Sequence, residues 1–182
     1  MRKLCSILIL LLMIGCGSQP PQTLPFTRLA DLDDSQVGFD DYPYAEAVLN
    51  LRMTQTAGQQ TRLLEELPKR KEPFIDRQAI QAVNTKTMLI LTVFTLPYIE
   101  RGRWVKINEV QRDQQTLTIK VEYHTPTPGQ YLTGGATVMS ISSIALDRAL
   151  LPPADSLITI RVIDQHQTEW IRQVYELKPI IE

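Results

Sequence analysis

The chain has 182 residues, 43% of them hydrophobic and 21% charged, and its 19 Lys and Arg against 20 Asp and Glu give a net charge of −1. These values exclude collagen-like, fully disordered and multi-span membrane proteins. A pI of about 6.1 and the lack of a long Lys/Arg tract argue against a nucleic-acid partner. The length suits one compact domain, alone or on a tether.

Residues 1–15 read as a signal peptide. Arg2 and Lys3 form a charged start, Ile7 to Ile14 is an uncharged apolar run, and Gly15 is the small residue a peptidase needs beside the cut. The run is too short for a hydrocarbon core of about 30 Å, which takes about 20 helical residues. Leu12-Met13-Ile14-Gly15-Cys16-Gly17 resembles the lipobox of bacterial lipoproteins, with Met13 where Leu is commoner. The resemblance implies that Cys16 carries a thioether-linked diacylglycerol and becomes the acylated mature N-terminus. Two or three acyl chains, at about 0.8 kcal/mol per buried CH₂, make an effectively permanent membrane anchor. By resemblance to Gram-negative lipoproteins, in which Asp at the next position signals retention, Gly17 implies transport to the outer membrane.

Cys5 and Cys16 are the two cysteines, so the mature domain has no disulfide and must rest on its core. Loss of residues 1–15 removes Arg2 and Lys3. It leaves 17 basic against 20 acidic groups, a net charge of −3. A mildly acidic body on a lipid stem is held off an anionic surface and does not lie flat on it.

Residues 16–25 carry the lipid and a polar, proline-rich tether, and 26–182 form the globular domain. Phe26 to Tyr44 is acidic and irregular. Ala47, Leu49, Leu51 and Met53 alternate with polar positions, the period of a half-buried strand. Residues 57–67 form a short helix, capped by Thr56 and closed by Pro68. Met88 to Thr95 is a near-continuous apolar run suited to a central strand. Trp104, Val105, Ile107 and Val110 give a strand with an irregularity near Asn108 or Glu109. Leu117, Ile119, Val121 and Tyr123 make the clearest alternation. Thr127-Pro128-Gly129-Gln130 fits a type II turn. Further strands follow at Val138 to Leu146 and Leu157 to Ile163. In the tail, Trp170, Val174 and Leu177 suit a helix, whereas Asp164 to Thr168 can turn a final hairpin, the reading adopted. The result is a mainly β domain, a single antiparallel sandwich or barrel-like unit with one short helix.

From Phe74 to about Asp164 the chain resembles the C-terminal domain of PrcB-type lipoproteins, accessory subunits of surface protease complexes. The matching residues are Phe74-Ile75-Asp76, the strand Met88 to Phe94, Trp104-Val105-Lys106-Ile107-Asn108-Glu109-Val110, Leu117-Thr118-Ile119-Lys120-Val121, and the loop Pro126 to Gly129. Where that family carries Thr-Gly-Gly-Tyr, this chain has Glu100-Arg101-Gly102-Arg103, and Thr133-Gly134-Gly135 falls in a later loop. The resemblance implies a non-catalytic accessory role.

No Gly-x-Ser-x-Gly, His-Glu-x-x-His, Walker or Gly-x-Gly-x-x-Gly motif occurs, so the sequence points to no catalytic residue, metal ligand or cofactor. His124, at a strand end, and His166, in a polar turn, read as surface residues. Asp31, Asp33 and Ser35 have calcium-loop spacing, but Gln36 and Tyr42 stand where Gly and Glu are needed, leaving a solvated acidic linker. Leu132 to Gly135 offers backbone amides to an anion, with a flexible hairpin loop as the plainer reading. Tyr98, Arg101, Arg103 and Trp104 cluster around a presumed hairpin loop and are the residue types enriched at interface hot spots. The plainer alternative makes Trp104 core and the arginines a solvated turn. The sequence thus leads to a membrane-anchored binding or assembly module for an envelope protein, facing periplasm or surface. The alternative is a small-ligand or inhibitor-type β domain that binds through its loops.

Overall fold

The computed structural model describes residues 20–32, 49–67, 77–95, 98–100, 103–125 and 133–179. In chain order the elements are β1 (Gln22–Thr23), β2 (Thr27–Leu32), β3 (Leu49–Thr54), α1 (Ala57–Glu66), α2 (Arg77–Ala82), β4 (Met88–Thr95), β5 (Tyr98–Glu100), β6 (Trp104–Asp113) and β7 (Thr116–His124). They continue with β8 (Thr133–Val138), β9 (Ile141–Asp147), β10 (Leu157–Ile163) and β11 (Glu169–Glu176). A five-stranded sheet runs β1-β6-β7-β10-β11, a four-stranded sheet β2-β9-β4-β3, and β5 pairs with β8. The sheets pack as a sandwich and do not close into a barrel.

The layering explains the sequence pattern. One face of the four-stranded sheet, carrying Leu51, Leu91 and Ile144, meets Ile107, Ile119 and Ile160 of the five-stranded sheet in the main core. Its other face, carrying Ile90 and Ala145, is covered by Leu63 of α1, by Leu67 just after it and by Ile80 of α2. A strand buried on both faces has no polar side to show, so β4 is apolar almost throughout. The five-stranded sheet has one solvated face, so in β7 buried side chains alternate with half-buried ones and, at Glu122 and His124, exposed ones.

The expected elements at β3, α1, β4, β6, β7, β10 and β11 are present, and the Thr56 hydroxyl accepts the Gln59 amide as the cap of α1. The irregularity near Asn108 is a bulge in the β6–β7 pairing between Ile107 and Glu109. The type II turn expected at Thr127 to Gln130 lies outside the described residues.

Four features differ from the sequence expectation. The tether of residues 16–25 is shorter than expected: Gln22 and Thr23 pair with Arg112 and Gln111 of β6, and Leu24 is buried at 1% exposure. The acidic stretch from Phe26 begins with a strand, because Leu29 and Ala30 have core to fill against β9. A second, short helix, α2, joins the expected one. The sandwich is not wholly antiparallel, since β10 runs parallel to β7. Parallel neighbours need a crossover, and here the chain makes it through β8 and β9, which lie in the other sheets.

Candidate functional site: an aromatic rim at one end of the larger sheet

The strands of the five-stranded sheet end together where β6 starts, β7 finishes and the β10–β11 turn lies. Trp104 and His124 are directly opposite across β6 and β7, and their rings stack with centroids 5.8 Å apart at an interplanar angle of 17°. Cross-strand neighbours on one face stand close enough for this contact without backbone distortion. One residue back along β7, Tyr123 points to the inner face and is buried. Burial raises its hydroxyl pKa above the ordinary value, and the Arg103 guanidinium beside it pulls in the opposite direction.

Trp170 reaches this rim because of a bulge. Val162 pairs with Ile171 and Ile163 with Glu169, so Trp170 is an extra residue in β11 with no partner opposite. A bulge re-aims a side chain. Glu169 consequently joins Arg161 and Arg172 on the solvated face, at 2.5 Å and 2.7 Å, while Trp170 turns to Tyr123. The Tyr123 and Trp170 rings meet edge to face, 5.2 Å apart at 78°.

Asp164 fixes that arrangement. Its Oδ1 accepts the His166 and Thr168 amides at 2.8 Å and 2.9 Å, and its Oδ2 accepts the Trp170 indole N–H at 2.9 Å. Burial pushes the Asp164 carboxyl upward, but these donors outweigh it and hold the pKa below its ordinary value. Gln165 extends the pairing beyond the end of β10, accepting the Tyr123 amide at 2.9 Å and donating to the Tyr123 carbonyl at 2.8 Å. The rim is therefore rigidly built, with Trp170 still 37% exposed and His124 and His166 open to solvent.

Of the residues singled out from the sequence, Arg103 and Trp104 belong to this rim. Tyr98 opens β5, its backbone paired with Val138; Arg101 and Cys16 lie outside the described residues. The strands on either side of the presumed hairpin loop are not hairpin partners: β5 pairs with β8 and β6 with β7. Trp104 is half-buried, intermediate between the core and hot-spot readings. Thr133-Gly134-Gly135 is part of strand β8 and not a loop. Asp31 is no solvated linker residue: it accepts Ser142 Oγ at 2.6 Å and pairs with Arg28 at 2.6 Å, so it is committed to structure. Asp33, Asp34, Asp40 and Asp41 lie outside the described residues.

Sequence reasoning missed Trp170, Tyr123 and Asp164 as one unit. The available signal was Glu169-Trp170-Ile171, where a strand with Ile171 inward leaves Trp170 facing water unless a bulge intervenes.

No family model, curated protein or solved structure matches the chain.

Proposed function

We propose that the protein is a lipid-anchored, non-catalytic binding module of the cell envelope, held in the outer membrane through Cys16, which engages an envelope protein with its aromatic rim. One observation carries the reading: the rim and the point where the anchored segment enters the fold are at opposite ends of β6. β1 joins β6 at Gln111 and Arg112, and Trp104 starts the strand at the other end. Gln22 lies six positions after Cys16, a reach of at most about 20 Å. β6, with 10 residues, is about 30 Å long. The anchor thus keeps one end of the sheet near the bilayer and presents Trp104, His124 and Trp170 away from it.

Arginine and aromatic side chains in a rigid, partly exposed cluster are the anchors that dominate protein interfaces. The resemblance to PrcB-type accessory subunits supplies the class of partner, a larger envelope protein such as a surface protease. The test is a mild-detergent pull-down of the tagged, lipidated protein. One dominant envelope protein in near-equal amount is expected, and the Trp104→Ala, Trp170→Ala double variant should lose it. Bait alone in the eluate overturns the accessory role.

A further inference from the structure

A cleft lies at the other end of β11 from Trp170. The turn from Arg148 through Ala154 and the segment after β11 enclose a cleft of about 290 Å³, walled by Leu151, Pro152, Pro153 and Leu177. Arg148 and Lys178 line it, and among the described residues no acidic side chain does.

Arg148 is held in place by neutral groups alone. Its Nη2 donates to Gln55 Oε1 and to the Lys178 carbonyl, each at 3.3 Å. Gln55 is itself buried and fixed, accepting the Lys178 amide at 2.9 Å and donating to the Glu176 carbonyl at 2.9 Å. Among the described residues Arg148 has no ion pair, and neither its Nε nor its Nη1 donates to a described residue. Partial burial lowers the guanidinium pKa, the mark of a desolvated charge without a counter-charge. A guanidinium offers five N–H donors in a planar fork that matches a carboxylate. Such a fork, pre-positioned and half used beside an apolar wall, lacks only the anion.

We propose that this cleft binds a carboxylate bearing a short aliphatic group, with the carboxylate on Arg148 and Lys178 and the aliphatic group against Leu151, Pro152 and Leu177. The volume is at the small end for ligand sites, which limits the occupant to a short chain. Either a free branched-chain acid or the C-terminal residue of a peptide has that chemistry. Inorganic phosphate would leave the apolar wall unused. The inference is independent of the anchor and of the aromatic rim.

The test follows amide resonances of the full mature domain by ¹H–¹⁵N correlation spectroscopy during titration with N-acetyl-leucine, 4-methylpentanoate, N-acetyl-leucinamide and inorganic phosphate. Residues 148–151, 154 and 177–178 should shift with the two acids and respond about tenfold more weakly to the neutral amide, the loss of one charge-assisted contact. A tighter response to N-acetyl-leucine identifies a chain end, and a tighter response to 4-methylpentanoate a free acid. Arg148→Gln should weaken the acids about tenfold. Because Arg148 also braces Gln55, Lys178→Ala provides a second variant that leaves that brace intact and should weaken them less. Equal shifts from the acid and the amide, equal shifts from phosphate, or no shift in this cleft overturns the proposal.

Discussion

Asp31 and Ser142, separated by 111 positions in sequence, share a hydrogen bond of 2.6 Å that ties β2 to the buried side of β9. Ser142 is fully buried, and its hydroxyl also accepts the Ile107 amide of β6 at 3.0 Å. Arg28 completes the corner, donating to Asp31 and to the Ile107 carbonyl at 2.9 Å. The two sheets are thus joined there by polar contacts, where β6 crosses over β9. Asp31→Ala leaves Ser142 with a buried donor and no acceptor. We expect a loss of about 1–3 kcal/mol, read as a Tm lower by about 3–10 °C. An unchanged Tm would show that the corner does not contribute.

Acid should unfold the protein through the β10–β11 hairpin. The Glu169 carboxyl is lowered to about 2 by hydrogen bonds from Arg172 and Arg161, and Asp164 is also held below its ordinary value. A depressed carboxylate pKa adds stability that is present above the unfolded value and disappears as pH falls through the folded one. The stability of the hairpin should therefore fall from about pH 4.5 to about pH 2. Asp164→Asn and Glu169→Gln should each flatten that limb, measured by urea unfolding at several pH values. High salt should mimic Glu169→Gln, whose charge is exposed, more than Asp164→Asn. An acid limb unchanged from wild type in both variants would assign the loss to other carboxylates.

How far this was legible from the sequence follows from where each pattern is set. β7 and β10 could be read because a sheet with one wet face writes period-2 alternation directly. β4 was legible as central because both its faces are covered, and the hairpin at Asp164 because turn residues separate two β-rich runs. The rim was only half legible. Arg103 and Trp104 are adjacent and stand out, but Trp170 joins them only through a bulge whose position depends on pairing with β10. The parallel β7–β10 pair is invisible for the same reason, since local periodicity says nothing of which strands become neighbours. β1 was missed because two residues are too few to show a period, and Leu24 alone carries the burial.

Trp170 should prove a hot spot in partner binding. It is exposed, braced by Tyr123 and oriented by Asp164. Trp170→Ala should cost at least about 2 kcal/mol of binding, a hot-spot loss, or about thirtyfold in affinity. Trp170→Phe keeps a ring on Tyr123 but drops the indole donor, so it should fall between wild type and Ala. Surface-plasmon titration against the protein captured in the pull-down checks the order. Equal affinities for all three would remove Trp170 from the interface.

Cys16→Ala should abolish incorporation of labelled palmitate and release the protein from membranes into the soluble fraction. The folded domain rests on a core without cysteine, so its Tm should not change. Retention of label in the variant would place the lipid on another residue and overturn the Cys16 assignment.

The start of the domain can be located by shortening the chain. Leu24 packs into the main core at 1% exposure, and its amide donates to the Val110 carbonyl at 2.8 Å. If residues 16–25 were only a tether, a chain beginning at Phe26 would be as stable as one beginning at Pro20. Deleting Leu24 instead opens a hole beside Val110 and leaves that carbonyl without its donor. The chain from Phe26 should unfold at markedly lower urea concentration than the chain from Pro20, and Leu24→Ala alone should cost about 2–5 kcal/mol. Equal midpoints for the two shortened chains would return Leu24 to the tether.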